Sequence, residues 1–144
     1  MSYKGKYSPI NVKKYKGDPT KVIYRSLLER RFMVYCDTNS SILQWNSEEV
    51  VVPYRSPLDN RIHRYFVDFW IKFRDKNGDI KTNLIEIKPF TQTKEPKRTI
   101  KKHTRRFIRE VATWGVNQAK WKAADNYCKD RLWEFKIITE KELK

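Results

Sequence analysis

The chain has 144 residues, which fits a single domain with a hydrophobic core. Its 32 lysines and arginines outnumber 17 acidic residues and give a net charge of +15, so the surface attracts polyanions, of which nucleic acid is the commonest. Five Trp, eight Tyr and seven Phe exclude a disordered basic tail, which would lack such residues.

The N-terminus has no apolar signal-peptide core, and no segment approaches transmembrane length. We therefore expect a soluble, intracellular protein with no membrane partner. Cys36 and Cys128 have no neighbouring cysteine or histidine at ligand spacing, which predicts reduced thiols that act as small core residues.

The first half of the chain predicts an arm, a helix and two strands. Residues 1–17 are basic, rich in tyrosine and without helical or strand periodicity, so we expect an extended basic arm, available to nucleic acid. Asp18-Pro19 is typical of a helix start, and apolar residues at helical spacing predict a helix over about 19–36. A loop around Trp45 follows. The segments EEVVVPY (48–54) and HRYFVDFWIKF (63–73) predict two strands.

The second half predicts a hairpin, two helices and a last strand. Asn77-Gly78 is a hairpin turn signal, so TNLIEIKPF (82–90) is expected to return antiparallel to the strand before it. Helices are predicted over 97–113 and 116–130, interrupted at Gly115, and WEFKIITE (133–140) predicts a strand. The fold class is α/β or α+β, with one mixed sheet flanked by helices in a single domain of residues 1–144.

One charged constellation falls inside this predicted hairpin. Glu86 and Lys88 share a face of their strand, and the hairpin brings Asp68 to roughly 5 Å from them on the neighbouring strand. Two such carboxylates repel and are costly to bury, a conflict that a divalent cation such as Mg²⁺ removes. Lys88 would then lie beside a metal-bound water or the scissile phosphate. The pattern therefore predicts metal-assisted hydrolysis of a phosphodiester.

A purely structural alternative stays open at this point. Asp68 and Lys88 could form a half-buried salt bridge, with Glu86 at a solvated strand end. The strongly basic composition and the acidic Glu29 on the preceding predicted helix favour the nuclease interpretation.

The order of these residues resembles a known enzyme core. Asp68, followed after a hairpin by Glu86-Ile87-Lys88, is similar to the PD-(D/E)xK core of restriction endonucleases, Holliday-junction resolvases and transposon end-cutting endonucleases, with Val67 in place of the motif's proline. A longer set of segments, in order across residues 5–128, resembles the head-completion nucleases of T-even-like tailed bacteriophages: GKYSPINVKKYKGDP, YRSLLERRF, HRYFVDFW, IEIKP and AKWKAADNYC.

The resemblance implies a restriction-endonuclease-like fold and a DNA nuclease with endonuclease and possible exonuclease activity. It implies action on packaged double-stranded DNA during head completion and head–tail joining, with phage head or portal proteins as partners. Such a protein would be virion-associated and would lie in the bacterial host cytoplasm during assembly. The catalytic residues implied are Glu29, Asp68, Glu86 and Lys88. The implied cofactor is Mg²⁺, replaceable by Mn²⁺, held by Asp68 and Glu86 with Glu29 and the Ile87 carbonyl as further ligands.

Several polar residues are candidates for DNA binding. Arg25 is predicted one turn before Glu29, where it could hold that carboxylate, reach a phosphate or form an ordinary ion pair. Six cations form a stripe on the 97–113 helix, and two residues on the next helix could face the site or solvent. The full set is Arg25, Arg98, Lys101, Lys102, Arg105, Arg106, Arg109, Gln118 and Lys122.

Two other functions compete with a nuclease. A non-catalytic DNA-binding connector of a phage head would use the same fold as a scaffold, although it would not need a compatible set of charged site residues. An RNA-binding protein of the ribosomal type is disfavoured because the chain has no stacking signature of the RRM or KH kind.

Overall fold

A computed structural model describes residues 4–97 and 104–143. The helices and strands are, in chain order, β1 (Gly5–Lys6), β2 (Ile23–Tyr24), α1 (Leu27–Thr38), β3 (Ile42–Ser47), β4 (Val51–Arg55), β5 (Ile62–Phe66), β6 (Phe69–Arg74), β7 (Ile80–Ile87), α2 (Arg105–Asp130) and β8 (Glu134–Ile138). None of the helices in this described part of the chain is long and apolar enough to cross a membrane.

Four strands form the main sheet in the order β3-β6-β7-β8. β3 pairs antiparallel with β6 and β6 with β7, whereas β8 adds parallel to β7. The predicted mixed sheet is confirmed. The hairpin between β6 and β7 also forms as predicted, since Gly78 adopts a φ of 84°, which a glycine tolerates without strain.

The two helices cover opposite faces of this sheet, because neighbouring strand residues point to opposite sides. Ile85 of β7 packs in a cluster with Phe32 of α1. Leu84, the residue before it, packs in a second cluster with Trp121 of α2. The thiols of Cys36 and Cys128 are buried, one in each cluster, as predicted.

The N-terminal segment packs on the domain through the part that the structure describes. β1 pairs with β2, and the Tyr15 ring lies 4.8 Å from the Trp45 ring, edge to face. The buried Asp37 carboxylate accepts hydrogen bonds from the Tyr7 hydroxyl at 2.6 Å and from the backbone N–H of Ile10 at 2.7 Å. Part of the predicted arm therefore belongs to the core on the α1 side.

The predicted helix over 19–36 was wrong at its start. Asp18 does cap a turn, but only a 3-10 turn over Pro19–Lys21, after which the chain forms β2. α1 begins after Ser26, whose hydroxyl accepts the Glu29 N–H at 3.1 Å. Ser26 and Glu29 have the spacing of a capping box, which is a stronger start signal than Asp18-Pro19.

The strand predictions around residues 42–73 need two corrections. The expected loop at Trp45 is strand β3 of the main sheet. The expected single strand 63–73 is two strands: β5 pairs with β4 in a separate two-stranded ribbon, and β6 belongs to the main sheet. The chain changes partners at Val67, whose N–H donates to the Val50 carbonyl.

The helix interruption predicted at Gly115 was also wrong. α2 runs through this residue without a break, because a glycine inside a helix costs about 1 kcal/mol relative to alanine but removes no hydrogen bond. A Cβ at this position would lie 3.8 Å from the Pro57 ring, so the helix passes close to the loop of the ribbon.

Candidate active site

Asp68 lies where the chain passes from the ribbon into the main sheet. It directly precedes β6, and the register that places Phe69 opposite Ile85 brings it beside Glu86. Its part-buried carboxylate accepts the N–H of Ile87 at 2.8 Å. The side chain is thus fixed by a backbone group of the neighbouring strand.

Glu86 lies on β7 and is almost fully buried, with 5% of its surface exposed. The Tyr65 hydroxyl of β5 donates to its Oε1 at 2.9 Å, and the Trp121 indole of α2 donates to its Oε2 at 3.3 Å. Two donors from different elements therefore hold this carboxylate in one orientation. Neither Tyr65 nor Trp121 was among the site residues predicted from the sequence.

Burial and neighbouring charges control the protonation of Asp68. Burial raises the pKa of Asp68 well above its usual range, and the nearby Glu86 and Glu29 carboxylates raise it further. The hydrogen bond from the Ile87 N–H opposes this rise but does not cancel it. A free carboxylate pair at this position is consequently destabilising, and a bound cation would relieve the repulsion.

Lys88 projects from the same face of the strand as Glu86. Its ammonium nitrogen lies 3.9 Å from Glu86 Oε2, and about a quarter of its side chain is exposed. An ammonium at this distance is a weak ion-pair partner, yet it is available to a molecule entering from solvent. The purely structural alternative required a salt bridge between Asp68 and Lys88. That salt bridge is absent among the described residues.

Glu29 approaches the pair from the first turn of α1. Its carboxylate accepts the backbone N–H of Arg25 at 3.1 Å. Burial raises the pKa of Glu29, and the charges of Glu48 and Glu86 add to the rise. The charges of Glu29 and Glu86 therefore both act on Asp68, although the three carboxylates come from separate parts of the chain: α1, β7 and the residue before β6.

Within residues 4–97 and 104–143, no group of three or more His, Cys, Asp or Glu side chains is arranged to hold a metal ion. A pair of carboxylates is nonetheless sufficient for Mg²⁺, which usually takes one or two carboxylates and completes its octahedron with water and phosphate oxygens. Asp68 and Glu86 fit that role. The Ile87 carbonyl lies on the side of Asp68, because a strand residue directs its N–H and C=O toward the same neighbour.

Comparison with known proteins identifies the family of this site. A family model described as the N-terminal part of TnsA-like endonucleases matches residues 39–140, a span that includes Asp68, Glu86 and Lys88. The chain belongs to the TnsA-like endonuclease family. The head completion nuclease of Enterobacteria phage T4 is 41% identical over 147 residues, an alignment that covers 100% of this chain and 95% of that relative.

Both resemblances inferred from the sequence are thereby confirmed. The mixed sheet with a helix on each face agrees with the restriction-endonuclease-like fold expected of this endonuclease family. Glu29 lies outside the span that the family model matches, whereas the alignment with the phage relative covers the entire chain.

Arg25 does not lie where the sequence predicted it. Arg25 precedes α1 instead of lying on it, so its guanidinium does not form a helical i,i+4 pair with Glu29. Its Nε lies 2.8 Å from Glu48 Oε1 and its Nη2 lies 3.2 Å from Glu48 Oε2. Glu48 is thus a charged residue at the edge of the site that was not predicted, and nothing in its local sequence points to this role.

The other candidates for DNA binding divide into three groups. Arg105, Arg106 and Arg109 are exposed in the first turns of α2, where Arg106 pairs with Glu110 at 3.1 Å. The remaining cations of the predicted stripe lie outside the described residues: Arg98, Lys101 and Lys102.

The third group lies further along α2. Gln118 and Lys122 are exposed, and the residue that α2 sends to the carboxylates is Trp121. Lys120, in contrast, is part-buried, and its ammonium lies 5.5 Å from the centre of the Tyr65 ring. The face of α2 that contacts the site is therefore the one that carries Trp121, and not the predicted face of Gln118 and Lys122.

Proposed function

We propose that this protein is a Mg²⁺-dependent DNA nuclease that hydrolyses phosphodiester bonds in phage DNA during head completion. The observation that carries the proposal is the pair of adjacent carboxylates, Asp68 and Glu86, with the Lys88 ammonium 3.9 Å from the second of them. The strong identity to a head completion nuclease supports the biological setting. Mn²⁺ is expected to substitute for Mg²⁺, because both prefer oxygen ligands.

The chemistry divides between the cation and the protein. Asp68 and Glu86 would hold the Mg²⁺ ion, which would supply a Lewis acid for the phosphate and lower the pKa of a bound water. Tyr65 and Trp121 keep Glu86 in one orientation, so that its oxygens need no rearrangement when the substrate enters. The Lys88 ammonium donates to the attacking water or to the phosphate oxygens, where negative charge accumulates in the transition state.

Glu29 has a secondary role in this proposal. Its carboxylate is held by the Arg25 N–H and its charge acts on Asp68, so it would accept a hydrogen bond from a water that enters on the α1 side of the site. The surface charge then supplies the attraction for DNA, since the chain carries 32 basic residues against 17 acidic ones.

The proposed substrate is double-stranded DNA, cut internally and from its ends. Phage head or portal proteins are the proposed partners, and the proposed location is the virion and, during assembly, the cytoplasm of the bacterial host. These assignments rest on the name of the phage relative and on the basic surface.

A plasmid assay tests the proposal. Purified protein is incubated with a covalently closed circular plasmid and with a linear duplex whose ends are blocked, each with Mg²⁺ and then with EDTA. We expect nicking or linearisation of the circle in Mg²⁺, none in EDTA and none by Glu86→Gln. Binding of both DNAs without cleavage in Mg²⁺ or Mn²⁺ would instead support the non-catalytic connector.

A further inference from the structure

The ribbon of β4 and β5 stands outside the main sheet, and one of its faces is covered by α2. The residues of that inner face, Val52, Tyr54 and Tyr65, are buried in the cluster that contains Trp121. The opposite face, called the outer face below, consists of the alternate residues, of which five are exposed and one is part-buried: Val51, Pro53, Arg55, Ile62, Arg64 and Phe66. Ile62 and Phe66 keep 60% and 48% of their surfaces exposed.

The charge of the outer face is entirely positive. Its two charged residues are Arg55 and Arg64, directed to the same side by the strand register. The Arg64 guanidinium lies 5.8 Å from the centre of the Phe66 ring and forms no ion pair with any described residue. Asp59 in the connecting loop is engaged by His63 at 2.7 Å. Such a face is complementary to a polyanion, and it would repel a second copy of a chain with net charge +15.

The ribbon is also tied rigidly to the carboxylate pair. Phe66 ends β5 only two residues before Asp68. On the inner face, the Tyr65 hydroxyl holds Glu86 at 2.9 Å. A molecule bound along the ribbon would therefore keep a constant position relative to the site of cleavage.

The dimensions of the ribbon suit one form of polyanion. Paired strands lie about 4.8 Å apart, and the major groove of B-DNA, about 12 Å wide, admits a two-stranded β-ribbon. The apolar side chains of Ile62 and Phe66 can contact thymine methyl groups there, while Arg55 and Arg64 reach phosphates or guanine edges.

We infer that the outer face of the ribbon docks in the major groove of double-stranded DNA beside the cleavage site. This inference rests on the proposed nuclease function and specifies how its substrate is held. It assigns DNA contacts to Arg55, Arg64, Ile62 and Phe66, which belong to different elements from the basic stripe at the start of α2.

Binding measurements on matched variants test the inference. Arg64→Ala is compared with Lys76→Ala, which removes an equal charge at the exposed β6–β7 turn, at the opposite end of those strands from Asp68. Dissociation constants for a labelled duplex of ~21 base pairs, about two helical turns, are measured by fluorescence anisotropy over a salt series in EDTA, so that no cleavage occurs. Thermal melting shows that each variant is folded.

Loss of one phosphate contact predicts a specific result for Arg64→Ala. The slope of log K against log salt should fall by about 0.9, which corresponds to binding about eightfold weaker at 0.1 M salt than for wild type. Lys76→Ala should match wild type in slope and affinity. Phe66→Ala should weaken binding without changing the slope, because it removes an uncharged contact.

Two results would overturn the inference. One is an Arg64→Ala protein with the slope and affinity of Lys76→Ala. The other is a Phe66→Ala protein that binds DNA normally but loses self-association in light scattering, which would make the face an interface between copies. The proposed function is judged separately, by whether the wild-type protein cuts plasmid. If it does, and Arg64→Ala retains full DNA binding, only the inference about the ribbon is refuted.

Discussion

The backbone N–H of Glu48 donates a hydrogen bond to the carbonyl of Asp68 at 3.1 Å. Glu48 makes this contact with a φ of 57°, in the left-handed region that costs a non-glycine residue of order 1 kcal/mol. Its side chain holds Arg25, and the Arg25 N–H holds Glu29. Glu48 therefore connects the backbone of Asp68 with the first turn of α1. The strained conformation of Glu48 is what allows it to make both connections.

This link predicts that Glu48 positions the carboxylates of the proposed active site. Glu48→Gln keeps the shape of the side chain but removes its charge, so Arg25 should loosen and Glu29 should lose its fixed place. We expect cleavage to fall by about tenfold or more, because small displacements at a site are costly. The melting temperature should change little, since an exposed pair contributes about 1 kcal/mol or less.

Glu48→Gly provides the matched test for Glu48. Glycine relieves the left-handed strain and also lacks the carboxylate, so this variant should melt no earlier than wild type yet cut as slowly as Glu48→Gln. A variant that melts earlier but cuts normally per folded molecule would mean that Glu48 is only structural.

Removal of charge at Asp68 should stabilise the protein in the absence of metal. The folded pKa of Asp68 is raised above the unfolded value of about 4, first by burial and then by Glu86. The destabilisation is therefore absent below that pH and grows as pH rises through the folded pKa. Asp68→Asn should match wild type in melting temperature in acid and exceed it at neutral pH, while calorimetry shows weakened Mg²⁺ or Mn²⁺ binding. A lower melting temperature at neutral pH with metal binding intact would contradict this account.

Replacement of Glu86 and replacement of Lys88 should have different effects on metal binding and on cleavage. Glu86→Ala should abolish metal binding and cleavage together. Lys88→Ala should leave the metal bound, because an ammonium is not a ligand, yet slow hydrolysis by roughly a hundredfold or more. DNA affinity should persist in Lys88→Ala, as in the control Lys76→Ala. If Lys88→Ala instead melts early and its folded fraction cuts normally, Lys88 is a structural residue.

Asp37 should carry the attachment of the N-terminal segment. Burial raises its pKa, but hydrogen bonds from Tyr7, Ile10 and Asn11 outweigh burial and lower the pKa overall. Asp37→Asn replaces one acceptor oxygen by a donor that faces other donors, so we expect a loss of about 3 kcal/mol and a melting temperature lower by about 10 °C.

The pH dependence of the Asp37 variant provides its check. A depressed carboxylate stabilises the folded state above its unfolded pKa, and this contribution disappears as pH falls through the folded pKa. The gap between wild type and Asp37→Asn should therefore close in acid. Asp79→Asn, the same change at an exposed turn, should melt like wild type at every pH.

The juxtaposition of Asp68, Glu86 and Lys88 could be predicted from the sequence because it depends on short-range rules. Asn77-Gly78 specifies a tight hairpin, and the alternation of strand side chains places Glu86 and Lys88 on one face. Since the hairpin pairs β6 with β7, Asp68 had to arrive beside Glu86. No contact between distant parts of the chain was needed for this step.

The boundaries of elements were predicted less well, because local signals competed. Asp18-Pro19 and Ser26 with Glu29 are both helix-start signals, and packing selected the second one, which buries Phe32 against the sheet. The run 63–73 has apolar or aromatic residues on both faces, so its pattern contains no break at Val67, where the strand exchanges one partner for another.

The sequence alone determined the enzyme class, the sheet type and the central charged residues. Only the tertiary structure decided what holds them. Tyr65 and Trp121 reach Glu86 from 21 residues before it and 35 residues after it, and Glu48 reaches Arg25 across 23 residues. Such contacts follow from how β5, α2 and the end of β3 pack on the sheet. Side-chain periodicity reports which face of an element is buried, but not which distant residue will meet it there.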